Sequence, residues 1–476
     1  MKILIVSPHF PPTNAADMQR VRLILPYLKE AGVEAEVLAV EAGQVAFPRD
    51  PWLVPGLPSE VPIHRVKALG LKWGKIPGLG ILSFRAMGAL RRKGNELLRR
   101  GGFDLVYFST TQFGVHVLGP YWKKRHGVPF VMDYQDPWVS DYYREHPEVK
   151  PPGGRLKYAI TSWLSRRDEP RVLRECSGIT SVSDAYPRQL EGRYDFLKIL
   201  SRGRRTRVEG RESASDEQYY ESFKKLSTID SRLSTQSKSL LSLIIPFPGD
   251  DRDFERVCSE RITQRVFDPA DGFRHWVYVG RGGKDMEMAV RGLFKALKQY
   301  GDQDKVLLKN LRIHFIGTSY AAAGRGVKSI EPIAIEEGLG EIVSEHPDRI
   351  PYSETLRCLL DADALVVPGS NDPAYTASKI YPYLLAGKPL LAVFHENSSV
   401  VSLIRSVGGS TVIPFATGEG VESIAERIRA EWLAGSQYER DVSLNREAFA
   451  PYTARAQAGQ LAEFFRSVLR CEGVKV

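Results

Sequence analysis

An α/β chain of two doubly wound domains is predicted from three features of the sequence. Short runs rich in Val, Ile and Leu alternate with helix-length amphipathic segments, first over residues 1–200 and again beyond residue 241. Between these halves, residues 201–240 are rich in Arg, Ser, Lys, Glu and Gln and poor in large apolar side chains, which reads as a polar insertion near the domain junction. The length, 476 residues, suits about two to four domains, and a hydrophobic content of 43% is ample for their cores.

Composition narrows the partners. A formal charge of +9 favours anionic ones: nucleotides, phospholipid surfaces or nucleic acid. Nucleic acid rests on charge alone, because the aromatic and basic platforms of known modules are missing. The four cysteines, Cys176, Cys258, Cys358 and Cys471, are far apart and form no C-x-x-C pair. Neither a zinc site nor a disulfide scaffold is signalled, and a reducing cytoplasm fits. Met1–Val6 carries one lysine and a short apolar run with no cleavage site, so it reads as a first strand and not a signal peptide. No apolar run approaches the roughly eighteen residues a membrane span needs. Any membrane contact is expected to be peripheral.

In chain order, Lys2–Val6 reads as a buried strand, Ser7–Asp17 as a loop, Met18–Ala31 as a helix stopped by Gly32, and Glu34–Val40 as the next strand. No G-x-G-x-x-G follows the first strand, which argues against a nicotinamide or flavin dinucleotide site. Asp17 reads as the cap of the helix, and His9 as a polar group of the loop. Lys67–Arg100 sets nine basic residues against one acid, Glu96, with Trp73, Ile76, Leu79 and Phe84 interleaved. Such a stretch suits a helix packed on the sheet with its charges in water, or a surface lying on anionic lipid. Leu105–Ser109 and Pro129–Asp133 are further strands with a helix over Gly114–His126 between them. Arg155–Glu175 is a long amphipathic helix before the strand Ile179–Val182. Asp136 and Ser183 follow strand C-terminal ends, the edge at which open α/β sheets bind ligands.

In the second half, His275–Val279 and Arg312–Ile316 read as strands, with helices over Glu354–Leu360, Ser423–Trp432 and Ala454–Leu469. The first strand ends in Gly280-Arg281-Gly282-Gly283-Lys284. Glycines let the backbone approach an anion, and Arg281 and Lys284 can reach a diphosphate. Tyr278 and Asp285 stand where a Walker A loop needs Gly and Ser or Thr, so that class is excluded. Asp361-Ala362-Asp363 spells D-x-D but precedes a strand, and is read as a helix end. Ala364–Phe394 forms a strand, loop, helix and strand. Thr376 or Ser378 can cap that helix, and Gly387 with Pro389 stops it. Ser378, Lys379 and free backbone N–H groups then sit at a helix start favourable to phosphate.

SKIYPYLLAGKPLLAV, beginning at Ser378, resembles the Ser-Lys, aromatic, Glu-Tyr-Leu, Ala-Gly-Lys-Pro segment of retaining GT-B glycosyltransferases of the family-4 type. Other segments match in order. His9-Phe10-Pro11-Pro12 is similar to that family's opening, with Asn14-Ala15-Ala16-Asp17 in place of its Gly-Gly turn. Gln135-Asp136-Pro137-Trp138 resembles the Arg-Asp-Leu-Trp segment of its amino-sugar transferases, with Gln in place of Arg. Leu243–Phe247 with the following PGDDRDF resembles the interdomain hinge, and the turn after Val279 resembles the Gly-Arg-Leu…Lys-Gly segment.

The resemblance implies two Rossmann-like domains facing a cleft (GT-B). An acceptor-side domain would span 1–200, the polar insertion 201–240, a nucleotide-sugar-binding domain 241–445, and a C-terminal helix 446–476 would pack back on the first domain. It implies a hexosyltransferase-like enzyme moving a sugar from a nucleotide diphosphate-sugar to a hydroxyl of a glycan or lipid-linked acceptor, with retention, in glycan or glycolipid biosynthesis. No metal and no cofactor are expected, and the place is the cytoplasm or the inner face of the membrane. Gly280, Arg281, Lys284, Ser378, Lys379 and Tyr381 are expected on the donor. Asn14, Asp17 and Ser183 are expected on the acceptor side, and His9 and Asp136 at the reacting centre. The family's donor-binding glutamates fall on Ala374 and Pro382. That departure supports the alternative, a non-catalytic nucleotide- or glycan-binding protein on the same scaffold. Pro382 also predicts a helix starting at Ile380 or Tyr381, with Tyr381 or Asn371 reaching the nucleoside and the nucleotide held mainly by its diphosphate.

Overall fold

The computed structural model describes residues 1–75, 80–141, 144, 154–202, 237–302, 305–319, 321, 324–373 and 375–474. Most of the 201–240 insertion lies outside the described residues, as do Ile76, Leu79 and Ala374. The chain divides into two compact units, Met1–Pro248 with Ala454–Val476, and Gly249–Thr453.

The first unit is built on an eight-stranded sheet. Its strands are β1 (Lys2–Val6), β2 (Glu34–Val40), β3 (Ile63–Val66), β4 (Leu105–Ser109), β5 (Phe130–Tyr134), β6 (Gly178–Ser181), β7 (Leu197–Arg202) and β8 (Lys238–Ile244). They lie in the order β3-β2-β1-β4-β5-β6-β8-β7, and all these pairings are parallel. A parallel sheet is covered on both faces, so β1, β4 and β5 read as apolar runs without polar alternation. Leu4, Val6, Phe108 and Met132 face a core shared with the helices Leu82–Arg100, Leu118–His126 and Arg155–Glu175. Ile3, Ile5, Tyr107 and Val131 face the opposite core, closed by the helices Gln19–Leu28 and Ala454–Cys471.

Two expectations change here. β8 pairs with β6 from Leu241 to Ile244, because Leu240, Leu241 and Leu243 are needed in the first unit's cores. The chain therefore leaves this unit after Pro248 and not at 241. The basic stretch divides as well. Leu82, Leu90 and Leu97 join the core, and Arg85 is buried, donating to the carbonyls of Gln44 and Leu69. Arg91, Arg92, Arg99 and Arg100 are exposed.

The second unit has a six-stranded parallel sheet. Its strands are β9 (Arg274–Val279), β10 (Leu311–Ile316), β11 (Val343–His346), β12 (Ala364–Pro368), β13 (Leu390–His395) and β14 (Thr411–Phe415), in the order β11-β10-β9-β12-β13-β14. Neither edge strand announces itself in the sequence. Val343–His346 carries Ser, Glu and His, and Pro414 interrupts Thr411–Phe415; both features suit an edge. In each sheet the strand order reverses at its first strand, between β1 and β4 and between β9 and β12. Connections leave on opposite faces at such a point and open a crevice at the strands' C-terminal ends.

Candidate functional site

In the second unit the crevice has an identifiable cause. β9 is laddered to β12 only at Trp276 and Val277, opposite Ala364 and Leu365. Beyond them the phenol of Tyr383 replaces the missing ladder. It accepts from the Val279 N–H at 2.5 Å and donates to the Val279 carbonyl at 3.0 Å. Gly280 follows, and a Cβ there would stand 1.9 Å from Lys379 Nζ and 2.9 Å from the Tyr278 hydroxyl. Glycine is what admits the lysine. Lys379 Nζ donates to the Tyr278 hydroxyl at 2.7 Å and lies 4.7 Å from its ring centre. The Tyr278 hydroxyl donates in turn to the Arg281 carbonyl at 2.7 Å. Burial, helped by the neighbouring Arg281 charge and opposed by Asp285, pushes the Lys379 amine down to about 7.

Arg281 is held by a two-pronged pair with Asp285, at 2.9 and 2.6 Å, and its guanidinium lies 4.9 Å from the Tyr375 ring centre. Burial would raise the Asp285 carboxyl, but the Arg281 bonds hold it below its ordinary value. Lys284 is exposed in the turn Lys284–Met286. The charges of β9's glycine turn and of the segment before Ile380 thus meet at one place on the sheet edge.

In the first unit, His9 Nδ1 meets both carboxylate oxygens of Asp17, at 2.9 and 3.1 Å. Asp17 also accepts from Thr110 Oγ1 at 2.9 Å, from the Thr111 N–H at 3.1 Å and from Thr111 Oγ1 at 3.2 Å. Burial would raise its carboxyl, but His9 and the threonine donors hold it below the usual value. A carboxylate on Nδ1 places a proton there and leaves Nε2 as the reactive ring nitrogen. His9 is buried, with its ring edge-on to Phe47 at 5.0 Å. Beside this pair lies a buried network on Asp133. Its Oδ2 accepts from Arg20 Nε, Ser109 Oγ and Gln135 Nε2, each at 2.8 Å, and its Oδ1 accepts from Thr180 at 2.8 Å. Arg20 further donates to the carbonyls of Ile245 at 2.8 Å and Pro246 at 3.0 Å. Gln135 Nε2 also reaches the Asp17 carbonyl at 3.1 Å, joining the two groups.

Residues 19–196 match the model of the glycosyl transferase 4-like domain. This domain holds Arg20, Asp133 and Gln135 and begins just after His9 and Asp17. Over the whole chain the likeness is to solved GT-B structures. A UDP-forming α,α-trehalose-phosphate synthase from Burkholderia xenovorans, in complex with glucose-6-phosphate, is 10% identical with a TM-score of 0.56, covering 98% of this chain and 100% of that one. A glycosyltransferase from Rickettsia africae ESF-5 is 11% identical with a TM-score of 0.52, covering 98% of each chain. At such identities the likeness shows the fold, two Rossmann-like GT-B domains. None of the curated proteins matches the chain.

Within the first unit, the predicted residues separate. Asp17 is no helix cap: it lies inside the turn Ala16–Met18, and the helix Gln19–Leu28 has no side-chain cap bond. Asp136 is exposed two residues beyond β5, while its neighbour Gln135 is buried in the network. The Ser183 hydroxyl accepts from the Ala185 N–H at 3.2 Å, at the start of the helix Ala185–Arg193. Asn14 is fixed through its backbone, donating to the Pro48 carbonyl at 2.8 Å. Arg20 and Asp133 were absent from the expected set. Their signal was an acid inside the apolar run of β5, since a buried charge demands a partner.

In the second unit, the helix after the Ser-Lys pair runs Ile380–Leu385, with Lys379 as its first flanking residue and no side-chain cap bond. Neither Thr376 nor Ser378 caps it; Thr376 Oγ1 lies 3.2 Å from Ser399 Oγ. Ser378 is partly buried. Six residues make a weak dipole, so the positive charge of the site comes from side chains. Pro382 falls in the first turn, where its missing N–H has no intrahelical partner to lose. Tyr381, expected on the donor, is the second residue of this helix. It is buried, 5.8 Å from Tyr452 and 6.4 Å from Phe449 between ring centres. Asp361 is taken by Arg357 at 2.8 Å and Asp363 by the His275 N–H at 2.7 Å, both at the strand edge opposite Gly280.

Proposed function

We propose that the protein transfers a sugar from a nucleotide diphosphate-sugar to a hydroxyl of a glycan or lipid-linked acceptor. The observation that carries this reading is the meeting of Lys379, Arg281 and Gly280 where β9 and β12 part. Negative charge grows on the leaving diphosphate as the glycosidic bond breaks. Cations already held in place stabilise that charge more in the transition state than in the bound donor. Half-buried Arg281 and Lys379 supply the inner part, exposed Lys284 an outer part, and Gly280 the close approach of backbone. Side chains then provide the countercharge that a metal provides in other transferases. The nucleotide is held mainly by its diphosphate, because Pro382 offers the ribose no side-chain acceptor.

On the acceptor side, Asp17 orients His9 so that Nε2 can receive the proton of the attacking hydroxyl. Retention and an amino-sugar-like donor are carried over from the resemblance of Ser378–Val393 and Gln135–Trp138. A peripheral contact with anionic lipid, at the cytoplasmic face, is supported by Leu69, Leu71 and Trp73, which are 45%, 48% and 51% exposed and alternate in sequence with exposed Lys67 and Lys72. No helix among the described residues is long and apolar enough to cross a membrane. A second reading, a non-catalytic nucleotide-binding protein, is favoured by one observation, the proline at position 382.

A thermal-shift screen against nucleoside diphosphates and their sugars tests the donor site. Stabilisation by at least one diphosphate is expected, and it should vanish in Arg281→Ala. No shift with any nucleotide, or equal shifts in wild type and variant, would remove the assignment.

A further inference from the structure

We infer that Asp285 is a specificity-determining residue of the anion site: it fills the fork of Arg281, and a ligand reaches that fork only by out-competing a carboxylate. The inference rests on the donor-site reading and adds to it a filter by charge.

The geometry of the pair is that of a binding interaction. Both outer nitrogens of Arg281 are used, one on each Asp285 oxygen, at 2.9 and 2.6 Å. This is the arrangement in which a guanidinium would take two oxygens of a phosphate. The loop is shaped around it. A Cβ at Gly283 would stand 2.6 Å from Asp285 Oδ1 and 3.1 Å from Arg281 Nη1. Asp285 is also tied to the loop after β12, its carbonyl accepting from the Asn371 N–H at 2.8 Å. The pair therefore bridges the two loops at the mouth of the crevice. Arg281 lies against the Tyr375 ring, and its carbonyl accepts from the Tyr278 hydroxyl, which in turn accepts from Lys379.

Competition with a fixed carboxylate selects by charge. A singly charged anion offers Arg281 no more than Asp285 already does. A diphosphate brings more charge, and its length lets it engage Lys379 and Lys284 while displacing Asp285. The displaced carboxylate then faces the ligand as a like charge, which lowers affinity for every anion but proportionally more for those that hold to Arg281 alone. Asp285 sits in the position of a gate on charge, and its removal should relax the choice.

Calorimetric titration of the full-length chain with inorganic pyrophosphate and with orthophosphate tests this. Wild type should prefer pyrophosphate. In Asp285→Asn and Asp285→Ser, orthophosphate should bind at least about tenfold more tightly than in wild type, with a smaller gain for pyrophosphate, so that the ratio of the two narrows. An unchanged or wider ratio, or equal losses for both probes, would overturn the inference while leaving the anion site standing. The wild-type ratio is a second reading that needs no variant: orthophosphate bound as tightly as pyrophosphate would also overturn it. Failure of wild type and variants alike to bind pyrophosphate would overturn the donor-site reading itself, and the inference with it.

Discussion

Lys379 concentrates the electrostatics of the proposed donor side in a single amine. Its neighbours push it down to about 7, whereas a bound diphosphate would favour its charged form and raise it. Below pH 7 the amine is already charged, so diphosphate affinity should be full and nearly flat. Above pH 7 a proton must be taken up on binding, and affinity should fall by up to about tenfold per pH unit until the raised value is reached. Calorimetry from pH 6 to 9 with a nucleoside diphosphate should show this slope in wild type and lose it in Lys379→Met. A flat wild-type profile would contradict the assignment. That Arg281 and Lys379 lie together was legible in the sequence because a glycine turn after a strand and a Ser-Lys pair before a helix both point to the same sheet edge. The burial of Tyr381 was not, because spacing cannot say which side of a six-residue helix is buried. The His9–Asp17 pair was hidden for a different reason. Aspartate just before a helix looks like a cap, and its other partners, Thr110 and Thr111, are remote in sequence.

Between elements, two side chains do what backbone ladders do elsewhere. Tyr383 completes the hydrogen bonds of Val279 where β12 diverges from β9. Tyr383→Phe should leave both backbone groups of Val279 without that partner and cost about 1–3 kcal/mol. It should also weaken diphosphate binding several-fold, since Gly280 follows directly, while the pH above which affinity begins to fall stays near 7 as set by Lys379. Unaltered affinity in this variant would show that the crevice does not depend on the phenol. In the first unit, Arg20 joins the helix Gln19–Leu28 to β5 and to the end of β8. Both partners of its ion pair with Asp133 are fully buried. Arg20→Ala strands a buried carboxylate and should destabilise this unit by about 3–5 kcal/mol. Chemical denaturation would read the loss, and a change below about 1 kcal/mol would mean that Ser109, Thr180 and Gln135 suffice to hold Asp133.

For the molecule as a whole, the two parallel sheets were legible because each central strand is an unbroken apolar run. The edges β11 and β14 were not, since half-polar or proline-bearing strands lack that signature. The sequence suggests a boundary at 241, where the polar stretch ends, whereas the unit runs on to Pro248; nothing local to Leu240–Ile245 shows which sheet that apolar run joins. Asp133 inside β5 signals that some partner is needed, but Arg20 lies 113 residues away, and no local pattern names it. A design repeats in the two units: each reverses its strand order once and sets titratable groups near that point. The central claim is that these two points serve sugar transfer. Release of nucleoside diphosphate from a panel of nucleotide diphosphate-sugars, measured with glycan and lipid-linked acceptors, tests it most directly. Turnover of at least one donor is expected, with most of it lost in Arg281→Ala and in Lys284→Ala while the fold is kept. Nucleotide binding without release from any donor, or near wild-type turnover in both variants, would contradict the claim.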